Sequence, residues 1–178
     1  MWCVRLRIVF TATLCYVGMP VLAQGQGAEV FGIAAGAAPT NTGYDLPYNT
    51  GAHVSLFVEV PRAIGRLGLR AEVFAGAFSR DTRNGALSRR TSVPGASLSV
   101  LLPLSDATSA VQPYLLAGAG TYRTELGSGN RELHFGIAGG AGVHFGRGRI
   151  RPFAEARVLR VVDGGTPRII PIAVGVRL

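Results

Sequence analysis

The residues closest to a nucleophilic centre are His53, Ser55 and Glu59, a base, a hydroxyl and an acid on one short stretch. On an extended strand, residues two apart stand about 7 Å apart, too far for a hydroxyl to hydrogen-bond its base. Catalysis is therefore not expected. His134 and His144 are metal-ligand types, but ten positions on one strand separate them by about 33 Å, so they cannot share an ion. No metal or other cofactor is expected. A third set is cationic: Arg80, Arg83, Arg89 and Arg90 surround Asp81 between two strand-like stretches. Guanidinium groups bind phosphate bidentately, so this connection suits phosphate chemistry. The "GRGR" at 146–149 opens no helix and lacks phosphate-loop spacing.

These residues sit on elements that alternate with period two. No amphipathic helical stretch of about 12 residues follows Gln24, and eight strands are predicted, at 28–37, 51–60, 67–79, 93–102, 112–123, 132–145, 150–161 and 168–178. Between them lie turn-rich connections such as "APTNTGYDLPYNT", "SRDTRNGALSRRT" and "DGGTP". The first and third connections are long and the second and sixth short, a loose match to a barrel with short turns at one end. The fourth, near 103–111, is longer than that alternation predicts.

Each strand has an apolar side and a side of small and ionic residues. Val54, Leu56, Val58 and Val60 oppose His53, Ser55, Phe57 and Glu59; Phe135, Ile137, Gly139, Ala141, Val143 and Phe145 oppose His134, Gly136, Ala138, Gly140, Gly142 and His144. Alternation alone does not say which side is inside. Three features favour the apolar side facing lipid. The other side is rich in Gly, Ala and Ser, as a narrow lumen requires. It carries both signs of charge: Glu59, Arg70, Glu72, Glu155, Arg157 and Arg177 share it, so a lumen network is expected, with Glu59 meeting Arg70 or its neighbours and Glu155 meeting Arg157 or Arg177. Finally, Phe135 and Phe145 stand about 25 Å apart along a membrane normal, and Tyr114 and Tyr122 about 20 Å, so these four are expected to form an aromatic girdle.

Composition agrees. Mean hydropathy is +0.30, with 25 glycines. The net charge is +8 and every one of the 18 basic residues is arginine, yet no basic helix accompanies them, so nucleic acid is not an expected partner. Arg5 and Arg7, then Ile8–Val17, then Val21-Leu22-Ala23 form a signal-peptide pattern with cleavage before Gln24. Residues 1–23 are expected to be removed, and with them both cysteines, Cys3 and Cys15. Residues 24–178 then form one exported domain without thiols.

With the signal peptide, "RPFAEARV", "QPYLLAGAGTYR" and the terminal "IIPIAVGVRL" in hand, the chain resembles the small outer-membrane β-barrels of Gram-negative bacteria, OmpA-transmembrane-domain and OmpX-like. The resemblance implies an all-β, eight-stranded, antiparallel up-and-down transmembrane barrel. It also implies outer-membrane location and insertion by the barrel assembly machinery. Members of that group typically end in an aromatic residue, whereas this chain ends in Leu178. The expected role is structural or interactive and non-enzymatic, with a filled lumen, no large pore and a monomeric state. Lipid and lipopolysaccharide are the expected partners, the latter through Arg80, Arg83, Arg89 and Arg90. Two alternatives stand beside it: a soluble periplasmic lipocalin-like barrel binding a small apolar ligand, and a narrow channel.

Overall fold

The computed structural model describes residues 29–38, 40–41, 51–80, 89–125, 131–162 and 168–178. The expected signal segment 1–23 and Arg83 lie outside the described residues. Eight strands form: β1 (Val30–Ala38, prolonged by Thr40–Asn41), β2 (Gly51–Ile64), β3 (Leu67–Arg80), β4 (Arg89–Pro103), β5 (Val111–Glu125), β6 (Arg131–Phe145), β7 (Arg151–Val161) and β8 (Ile172–Arg177, preceded by Arg168–Ile169). Each pairs antiparallel with its neighbours in sequence. The sheet closes where Gly32 of β1 faces Arg177 of β8, so no edge is left unpaired. No helix among the described residues is long and apolar enough to cross a membrane.

Several strands run further than the sequence pattern predicts. β4 begins at Arg89 rather than 93, and Arg80 pairs with Arg89 and Ser79 with Arg90. Three of the four arginines assigned to the third connection thus stand on the ladder. Polar residues end an apolar pattern without ending backbone pairing. The last strand is the opposite case, broken where one was predicted. Pro171 has no N–H to give the ladder, and its carbonyl accepts instead from the Arg157 N–H at 2.9 Å.

The turns between β2 and β3 at 65–66, β4 and β5 at 104–110, and β6 and β7 at 146–150 share one end with Glu29 and Leu178. This is called the inner end here. Gly65, at φ 60, supplies the left-handed corner of the tightest turn. The longer 104–110 turn is tied to itself: the Gln112 side-chain amide donates to the carbonyls of Ala107 at 2.7 Å and Ser109 at 2.9 Å. Its length is therefore compatible with a compact cap.

Polarity is inverted relative to a soluble protein. Val54, Ile137 and Val174 are 55%, 49% and 63% exposed. Glu59, Arg70, Glu72 and Glu155 are buried. The lipocalin-like alternative requires the reverse and is overturned. Apolar area of this extent is stable only against hydrocarbon.

Candidate functional site

The buried charges meet inside the lumen. On the β2–β3 hairpin the cross-strand register places Glu59 directly opposite Arg70. The Arg70 side chain, 1% exposed, reaches across the barrel. It donates to Glu155 Oε2 at 2.7 Å and to Glu59 Oε2 at 3.2 Å. The Tyr114 hydroxyl donates to the same Glu155 oxygen at 2.6 Å. Arg157 donates to Glu155 Oε1 and to Glu72. Arg177 closes the set on Glu59 Oε1 at 3.0 Å. Three arginines and three glutamates thus neutralise one another, as ionic groups removed from water must. The register brings together all six residues that the sequence assigns to the lumen.

Aromatic rings complete the layer. The Arg70 guanidinium lies 4.4 Å from the Phe57 ring centroid, and Phe57 meets Phe153 edge-on at 5.6 Å. His144 stacks on Tyr114 at 4.5 Å. The space for these rings comes from glycine. Phe57 lies opposite Gly32, Phe74 opposite Gly95, Tyr114 opposite Gly142 and Phe153 opposite Gly175. A Cβ at any of these glycines would run into the facing ring. At these four positions glycine is therefore packing space for inward aromatics, across the strand rather than along it, whereas at Gly36, Gly120 and Gly140 a Cβ would meet the neighbouring strand's backbone.

This corrects half of the expected girdle. Tyr114 and Tyr122 turn inward, 2% and 4% exposed, because the outward parity of β5 belongs to Val111, Leu115 and Thr121. Spacing along the strand suited the membrane faces, but two tyrosines eight residues apart share whichever face the register gives them. Phe135 and Phe145 do face outward, Phe145 beside the inner turn at 146–150. Of the arginine cluster, Arg80, Arg89 and Arg90 occupy strand ends at the outer end.

The layer separates two spaces. Towards the outer end is a cavity of about 70 Å³ among Phe74, Tyr122, Val93, Leu159 and Ile169, with Glu72 and Arg157 at its floor. Towards the inner end is a vestibule of about 1290 Å³, bordered by Glu59, Tyr114, His144 and Arg177. Ser55 and Glu59 are buried in the lumen and His53 is half-buried there, as part of this packing. No group of three or more His, Cys, Asp or Glu side chains among the described residues is arranged to hold a metal ion.

An apolar exterior, a closed eight-stranded sheet and a neutralised ionic interior define an outer-membrane β-barrel protein. Solved structures of this architecture superpose on it. Neisserial surface protein A is 21% identical, with a TM-score of 0.55 over 84% of this chain and 95% of that one. The attachment invasion locus protein Ail of Yersinia pestis is 15% identical, with a TM-score of 0.53 over 85% and 99%. The N-terminal β-barrel domain of Pseudomonas aeruginosa OprF is 13% identical, with a TM-score of 0.52 over 86% and 100%. No protein-family model and no curated protein matches the chain.

Proposed function

We propose that this barrel is a non-catalytic structural or interaction protein of the outer membrane, exported by removal of residues 1–23, with a lumen shut to bulk solute. The observation that supports this reading is the Arg70-centred layer. Its central guanidinium is 1% exposed and held by Glu59 on the adjacent strand and by Glu155 across the bore. At this layer the eight-stranded bore leaves little room beyond its own side chains, although the bore widens into the vestibule below it. In this reading the monomeric barrel is inserted by the assembly machinery. The third connection and the strand ends that flank it supply Arg80, Arg83, Arg89 and Arg90 to lipopolysaccharide phosphate.

Liposome swelling and planar-bilayer recording test closure. The refolded barrel is expected to admit no small sugar and to give no porin-sized conductance steps. Sustained large steps would refute the filled lumen. For the outer end, Arg83→Gln/Arg90→Gln is expected to weaken retention on lipopolysaccharide-containing vesicles in low salt; equal retention of the variant rejects that contact.

A further inference from the structure

The inner vestibule holds more positive charge than its carboxylates can answer. Arg62, Arg66, Arg149, Arg151 and Arg177 border it, against Glu29, Glu59 and Asp106. Glu59 is already engaged twice, by Arg177 through Oε1 and by Arg70 through Oε2. Arg151 is committed to the Gly148 carbonyl at 2.9 Å and to Gln112 Oε1 at 3.0 Å, so it fixes the turns. Among the described residues, no carboxylate pairs with Arg62, Arg66 or Arg149.

Two further features direct this surplus towards a ligand. At the floor, His144 is buried and stacked on Tyr114, and its Nε2 has no hydrogen-bond partner among the described residues. Arg177 Nε is likewise without one. His53 Nδ1, Arg70 Nε and Ser97 Oγ elsewhere in the lumen share this state, for which ordered water is the ordinary partner; what His144 and Arg177 add is a polar floor to the vestibule. At the rim, Arg62 has φ 54, the sole non-glycine in the left-handed region among the described residues. A register shift between Val60 and Ile64 holds it there. Glycine would suit that backbone better, yet the position carries an arginine facing the mouth.

We propose that the inner mouth binds a small multivalent phosphate-bearing anion. Arg62, Arg66 and Arg149 hold it at the rim, above a floor lined by Arg177 and His144. The planar guanidinium fork matches phosphate oxygens two at a time. A vestibule of about 1290 Å³ leaves room for a diphosphate or a phospholipid headgroup. In barrels built with short turns at one end, that end faces the periplasm, so the ligand enters from there.

The test uses the mature chain refolded in zwitterionic detergent, with folding checked by heat-modifiable migration, and titrates inorganic pyrophosphate by calorimetry at low salt. Saturable binding is expected. Arg62→Gln/Arg66→Gln/Arg149→Gln should weaken it at least tenfold, whereas Arg160→Gln, exposed near the outer end, should leave it unchanged. Arg62→Gly removes the charge while relieving the backbone, so it should fold at least as well and bind about two- to fivefold more weakly, the range for one partly screened charge. Absence of saturable binding, a triple variant that binds like the parent, or an equal loss in Arg160→Gln would each overturn the proposal. Competition by added phosphatidylglycerol would identify a lipid headgroup as the natural source, and its absence a soluble phosphate compound. The measurement needs no assumption about lumen closure, so its failure would leave the reading of a shut barrel standing.

Discussion

Replacing Arg70 by methionine keeps most of the volume and removes the charge at the centre of the lumen. The effect can be estimated contact by contact. Arg70 serves Glu155 at 2.7 Å and Glu59 at 3.2 Å, and its side chain is 1% exposed. Removing one partner of a buried ion pair costs about 3–5 kcal/mol, because the other charge is left uncompensated. Here neither carboxylate is abandoned: Glu155 keeps Arg157 and the Tyr114 hydroxyl, and Glu59 keeps Arg177. The lower end, about 3 kcal/mol, is therefore expected for Arg70→Met. Glu155→Gln leaves Arg70 with Glu59 and Arg157 with Glu72, and about 2 kcal/mol is expected by the same reasoning. The double variant removes one charge of each sign and restores neutrality. It should cost about 2–3 kcal/mol rather than the sum of about 5, a coupling of about 2–3 kcal/mol. The only tryptophan is Trp2, in the expected signal segment, so the mature chain lacks that fluorophore. Urea unfolding of the vesicle-embedded barrel followed by circular dichroism and gel mobility supplies the free energies. Single effects that add to the double within about 0.5 kcal/mol would show that the layer is not one coupled unit and would refute the reasoning.

Val54→Arg places a charge on the exposed apolar face of β2 and should destabilise the vesicle-embedded barrel by about 2–4 kcal/mol if the site lies near mid-membrane; a neutral result in that unfolding assay would contradict the lipid-facing register. Gly142→Val inserts a side chain where the Tyr114 ring lies and should cost about 1–3 kcal/mol. The same substitution should displace Tyr114 from Glu155, visible as a shifted tyrosine near-ultraviolet signal.

The fold was legible because a membrane barrel imposes one rule on every strand. Val54 and Glu59, or Ile137 and Gly136, differ in parity, and parity decides which side meets hydrocarbon. The same rule groups Glu59, Arg70, Glu72, Glu155, Arg157 and Arg177 from the sequence alone. Strand ends were less legible. Outside the apolar band, backbone pairing continues through residues such as Arg89 and Arg90, where the apolar pattern has already ended.

The aromatic part of the site is ambiguous in the sequence for a different reason. An aromatic residue suits both a membrane interface and a lumen, so residue type does not separate the two for Tyr114 and Tyr122. The discriminating signal lies on the neighbouring strand. An inward ring in so narrow a bore needs an absent side chain beside it, and Gly142 stands opposite Tyr114 as Gly95 stands opposite both Tyr122 and Phe74. An outward ring faces lipid and makes no such demand: Phe135 pairs with Thr121, and Phe145 with Val111. Parity together with cross-strand glycine therefore distinguishes plug from girdle, but only once register is known. Register in turn rests on the hairpins, which is why a six-residue charge network legible from parity alone still hid its seventh member, the Tyr114 hydroxyl on Glu155.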